Sequence, residues 1–210
     1  MPRLVAVTLA IALGLAGIGS ARAAPASVDG LTLGPLDLVM PPTSPQGLVF
    51  LFSDEGGPTP EFDRAAARLA ELGLIVAPVA LRPFLDRQDA TARDCLYLVS
   101  DIEEVSRRIQ AEGGRGHYLT PIVAGTGMGA AVAYAALAQA PDATLAGAAS
   151  DGFSAHIDTK APLCAGAPAT ASAGGGFDYS PSPLPGWWRV AATGAQTDAA
   201  RAFAAEAGAA

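Results

Sequence analysis

Pro121-Ile-Val-Ala-Gly-Thr-Gly-Met-Gly-Ala-Ala-Val-Ala-Tyr134 decides the fold. A short apolar run breaks at Gly125, turns through glycines on alternate positions, and continues as an alanine-rich segment with helical character. A strand, a tight turn and a helix follow one another with no spare residues. Two chemistries use such a turn. In the nucleophile elbow, Gly-x-Ser-x-Gly, a strained turn lifts a serine above a sheet. Aligned on Gly125 and Gly129, the nucleophile position is Gly127, which carries no hydroxyl. The dinucleotide fingerprint G-x-G-x-x-G/A is met by Gly125, Gly127 and Ala130.

Outward from the elbow, the chain has 210 residues with half its composition apolar, enough for one domain with a substantial core. Residues 1–23 read as a secretory signal: Met1-Pro-Arg3 is a short basic start, Leu4–Ile18 an apolar run, and Ala21-Arg-Ala23 a cleavage site. Residues 24–210 are then expected to be the exported part, a single domain. Cleavage removes Arg3 and Arg22 and no acid, leaving 11 basic against 20 acidic side chains, a net charge of −9. A chain so acidic is a poor partner for nucleic acid, and its contact with membranes is at most peripheral. Cys95 and Cys164 are the only cysteines. In an oxidising compartment they read as a disulfide, against the alternative of two buried thiols. No metal set and no cofactor is expected.

Leu31–Met40 suits an edge strand or hairpin, and Gly47–Phe52 is a run buried on both faces. A helix follows, with Thr59 as N-cap, Pro60 at its first position and Phe62, Ala65, Ala66, Leu69 and Leu72 on the inner face. Leu74–Ala80 is a second buried strand. A helix over roughly Thr91–Glu112 carries Cys95 on its apolar face, with Val105 offset from it. The elbow strand and helix come next, then a strand over Thr144–Ser150 ending at Asp151. The alternation predicts a doubly wound, mostly parallel α/β sheet. Ala161–Pro185 is rich in Ala, Gly, Pro and Ser and reads as a flexible loop region. Trp187–Ala192 and Thr197–Ala207 read as a last strand and a last helix.

Acyl transfer requires a nucleophile, a histidine base and an acid. The nucleophile position is Gly127, and neither His117 nor His156 follows the last strand, where the base belongs. Asp198 lies where an acid is expected, or caps the final helix. Ser53 and His156 are the cryptic catalytic candidates, each also readable as an ordinary turn serine and a structural histidine. What remains is a possible anion cradle made by Asp54, Gly56, Gly57, Gly125, Gly127, Met128 and Gly129, with backbone N–H groups of Glu55–Gly57 and of the Met128 helix aimed into the crevice. The alternative is that the glycines only permit close packing. Asp151 lies at a spacing suited to a ribose contact, but export argues against a nicotinamide cofactor.

Leu48-Val-Phe-Leu-Phe-Ser-Asp-Glu-Gly-Gly57, Asp94-Cys-Leu-Tyr-Leu-Val-Ser-Asp-Ile-Glu103, the elbow running into Ala133-Tyr-Ala-Ala-Leu-Ala-Gln-Ala-Pro141, and Ala161-Pro-Leu-Cys164 together resemble the bacterial VirJ/AcvB virulence factors. The similarity is strongest over 47–165 and closest to the N-terminal domain of AcvB-like members. It implies that residues 24–210 form a single α/β-hydrolase-like domain, here truncated, located in the periplasm, with a link to type IV secretion, virulence and hydrolysis of lysyl-phosphatidylglycerol. In that family the serine elbow belongs to a second, VirJ-like domain. The resemblance therefore implies a non-catalytic domain that binds a ligand, or a partner such as a VirJ-like serine hydrolase domain or a secretion component. An active serine-type hydrolase with atypical residues is the alternative. At Gly127 the resemblance carries over no catalytic residue.

Overall fold

The computed structural model describes residues 27–91, 94–112, 117–191 and 197–208, so the signal segment expected at 1–23 lies outside the described residues. The chain starts with a small antiparallel pair, β1 (Ser27–Asp29) and β2 (Pro35–Asp37), joined through a 3-10 turn at Leu31–Leu33. Past it, Val39 makes a single antiparallel bridge to Val76. Leu31–Met40 is thus part of a hairpin rather than one strand. The working sheet follows: β3 (Gly47–Phe52), α1 (Pro60–Glu71), β4 (Leu74–Val79), α2 (Leu81–Thr91), α3 (Val99–Glu112), β5 (Ile122–Thr126), α4 (Met128–Gln139) and β6 (Gly147–Asp151). Next come β7 (His156–Ile157), β8 (Ala169–Ala171), β9 (Phe177–Tyr179), β10 (Trp187–Ala191) and α5 (Thr197–Glu206).

Five strands pair in the order β10-β6-β5-β3-β4, and all four pairings are parallel. Alternation along β3 explains the layering. Leu48, Phe50 and Phe52 point to a core shared with α2, α3, α4 and α5, while Val49 and Leu51 point to a smaller one with Phe62, Ala66 and Ala70 of α1. The whole of β3 is buried, as its unbroken apolar run predicts. Thr59 caps α1 by accepting from Phe62 N–H at 3.2 Å. Leu72, expected on the inner face of α1, is 69% exposed because it falls at the C-cap, beyond the last turn that packs.

Two expectations are corrected. The helix expected over Thr91–Glu112 starts only at Val99 as α3, and Cys95 lies ahead of it, between α3 and an unforeseen helix, α2. Leu81, Phe84, Leu85 and Gln88 bury one face of α2, and Pro83 sits in its first turn, where a missing N–H costs little. Helix cannot run on through residue 95 because Leu96 N–H donates to the Pro162 carbonyl and Cys164 N–H to the Leu96 carbonyl, at 2.8 and 2.9 Å. Beside this bridge Cys95 and Cys164 form the expected disulfide. Val105, expected off the apolar face of α3, is fully buried.

The second correction concerns Ala161–Pro185. It is not a featureless loop, because β8 and β9 pair antiparallel with each other and β9 with β7. The strands are three residues long or shorter, too short to show periodicity in the sequence. The turn joining β8 to β9 closes with Ser172 N–H donating to the Gly176 carbonyl at 3.0 Å.

Candidate functional site

The site forms at the C-terminal ends of β3, β5 and β6. β5 ends at Thr126, and Gly127 turns with φ 56° and ψ −124° before α4 begins at Met128. A residue with a side chain is strained in that region and glycine is not. Gly127 N–H donates to the Asp151 carbonyl at the end of β6, at 2.9 Å, which fixes the turn to the sheet. The flanking glycines are there for packing: a Cβ on Gly125 would collide with the Gly129 carbonyl, and one on Gly129 with the Ser53 carbonyl. The turn is therefore a nucleophile elbow in full backbone geometry, lacking only its side chain.

The space that side chain would enter is filled. A Cβ on Gly127 would fall on the carboxylate of Asp54, which belongs to the loop after β3. Asp54 Oδ1 accepts from Met128 N–H at 2.8 Å and from Glu55 N–H at 2.8 Å. In this architecture an oxyanion hole is built from the N–H after the nucleophile and an N–H of the loop after the third strand. Met128 and Glu55 hold those two positions. The sequence expectation of converging donors is met in part: they do converge, on the chain's own carboxylate. Gly57 N–H faces the other way and donates to the Asp54 carbonyl at 2.9 Å. Gly56 and Gly57 have open space where a Cβ would lie.

A cavity of about 350 Å³ opens beside the elbow, lined among others by Asp54, Phe62, Thr126, Gly127 and Asp151. Glu61 and Thr59 reach its rim. The backbone N–H at Glu61, and then Arg64 and Thr59, hold the Glu61 carboxyl below the usual carboxylate range. No basic side chain is among the lining residues. Anions thus meet acidic walls as well as a filled hole.

The cryptic pair is not joined. Ser53 is fully buried, its Oγ donating to the Asp54 carbonyl at 2.9 Å and accepting from Leu81 N–H at 3.1 Å. That hydroxyl ties the β3 loop to the start of α2. His156 lies on β7, with Nδ1 2.8 Å from Asp178 Oδ1 on β9. His117 is exposed. Asp198 sits in the first turn of α5 with its side chain 96% exposed, 3.4 Å from Arg201. Residues 192–196, where the rest of the acid-bearing turn was expected, lie outside the described residues. Thr126, Phe62 and Glu61 were not foreseen as lining. Only their placement, Thr126 at the end of β5 and Glu61 and Phe62 in the first turn of α1, hinted at it.

Sheet order, elbow and oxyanion loop define an α/β-hydrolase-like fold. Among solved structures, a protein of Klebsiella pneumoniae subsp. pneumoniae MGH 78578 assigned as a dienelactone hydrolase shares it, with a TM-score of 0.52 at 16% identity over 83% of this chain and 76% of that one. No protein-family model matches the chain, and no curated protein matches it.

Proposed function

We propose that the protein is a pseudo-hydrolase of the VirJ/AcvB type: a periplasmic domain that binds a ligand or partner at the elbow crevice and does not cut it. The observation that carries this reading is Gly127, which keeps elbow dihedrals without a side chain to attack. The resemblance over 47–165 supplies the role, as an accessory to lysyl-phosphatidylglycerol hydrolysis or to type IV secretion. The disulfide supports an oxidising compartment, as does the leader read at 1–23. A nucleophile that loses its side chain loses orders of magnitude in rate even when the rest of a site survives.

The test is direct. Purified protein should leave a serine-reactive fluorophosphonate unbound and should not turn over short-chain esters or aminoacyl-phospholipid above a buffer blank. Hydrolysis that disappears in Ser53→Ala or His156→Ala would establish the serine-hydrolase alternative instead. N-terminal sequencing of the periplasmic fraction should begin at or near Ala24, and an intact Met1 in the soluble cytoplasm would refute export.

A further inference from the structure

We infer that Asp54 is a resident ligand of its own oxyanion hole, an autoinhibitory contact that makes a carboxylate at 54 and a side chain at 127 mutually exclusive. The inference rests on the proposed elbow without a nucleophile and adds what closes it. Three observations carry it. Met128 N–H and Glu55 N–H both end on Asp54 Oδ1, at 2.8 Å each. The position of a Cβ on Gly127 coincides with that same carboxylate. Finally, Gly127 offers α4 no side-chain cap, so the positive end of the helix is served across the crevice by a residue 74 positions upstream.

The physical consequence is a site already in its liganded state. Donors preorganised for a developing negative oxygen are worth most when nothing else competes for them in a site shielded from water. Here the donors face solvent, and the Asp54 side chain, covalently tethered two bonds from the backbone, occupies both of them. An external carboxylate or phosphate must displace it against its effective concentration. Asp151 and Glu61 line the same cavity and add acidic groups to it. Ser53 anchors the root of the loop through Leu81 N–H, so Asp54 is held in place from behind.

A double-mutant cycle reads the exclusion. Strain from a side chain at φ 56° is present whatever residue stands at 54, so rescue reports the Asp54 contact alone. Gly127→Ser should lower Tm sharply, and adding Asp54→Ala should raise it again by about 5 °C. Adding Asp54→Asn, which fills the same volume, should not. A second readout, independent of whether Gly127→Ser folds, needs no change at 127. In wild type the Met128 and Glu55 amide protons should not respond to added acetate. In Asp54→Ala both should shift saturably. Zero coupling in the cycle, or wild-type amides that follow acetate as the variant's do, would overturn the inference while leaving an empty elbow. Fluorophosphonate labelling of wild type would instead sink the pseudo-hydrolase reading and leave the coupling to be judged on its own.

Discussion

The indole N–H of Trp188 donates to the hydroxyl of Ser150 on the neighbouring strand at 3.0 Å, and that hydroxyl donates to the Ala130 carbonyl in α4 at 2.8 Å. Both side chains are buried. The relay fixes the helix of the elbow to the far strand of the sheet, next to an aromatic cluster in which Tyr134, Phe153 and Phe203 surround Trp188 at centroid separations of 4.7 to 6.0 Å. Ser150→Ala leaves the indole N–H buried and unpaired, which should cost about 2 kcal/mol in chemical denaturation. Trp188→Phe should cost less in the Ser150→Ala background than in wild type. Additive effects would show that the relay does not act as a unit.

Alkali should unfold the protein through two tyrosines. Burial pushes the Tyr134 hydroxyl up to about 12 and the Tyr179 hydroxyl likewise, from an ordinary value of 10.0. The unfolded chain then releases these protons at lower pH than the folded one, so stability is intact below pH 10 and falls as pH rises toward 12. Denaturant midpoints measured from pH 9 upward should show that decline, and Tyr134→Phe should make it shallower. A flat profile would mean that neither hydroxyl is shielded.

Cys95 and Cys164 close a loop with a sequence separation of 69. In the chain-entropy account a loop of that size is worth about 4 kcal/mol. Thiol titration of the denatured, unreduced protein should find none free. Reduction, or paired serine substitution, should lower the unfolding free energy by an amount of that order. Two free thiols in material purified without reductant would contradict the bond.

Gln139 at the end of α4 is a buried amide used on both sides. Its oxygen accepts from Leu98 N–H at 2.7 Å and its nitrogen donates to the Leu96 carbonyl at 2.8 Å. Gln139→Ala leaves the Leu98 N–H without its partner, while the Leu96 carbonyl keeps the Cys164 N–H, and should cost about 2 kcal/mol. Gln139→Glu keeps one acceptor but loses the donor and buries a charge, so it should be no better. A loss below about 0.5 kcal/mol for Gln139→Ala would mean that water replaces the amide.

The sheet was legible because its signals are local. An unbroken apolar run at 47–52, a Thr-Pro start at 59–60 and three spaced glycines at 125–129 each imply one backbone outcome. α2 was missed although Leu81, Phe84, Leu85 and Gln88 hold helical spacing, because charged residues crowd between them and Pro83 reads as a breaker. The extended bridge at Leu96 was invisible, since its partner lies at 163. The filled oxyanion hole was beyond reach for the same reason. Asp54 was placed at the site from its loop. That it occupies the hole depends on two turns, 74 residues apart, meeting across a sheet edge.

The Cys95–Cys164 bond also sets how the molecule carries load. The span it closes contains α3, β5, α4 and β6, and with them the elbow. Tension applied at the two ends bypasses that span and runs through the sulfur bridge. About 240 Å of chain contour, 69 residues at roughly 3.5 Å each, is withheld from extension until the bond is reduced. A single-molecule pull should therefore release about 240 Å more after reductant than under oxidising conditions, with the elbow shielded from force in the oxidised case and exposed to it in the reduced one.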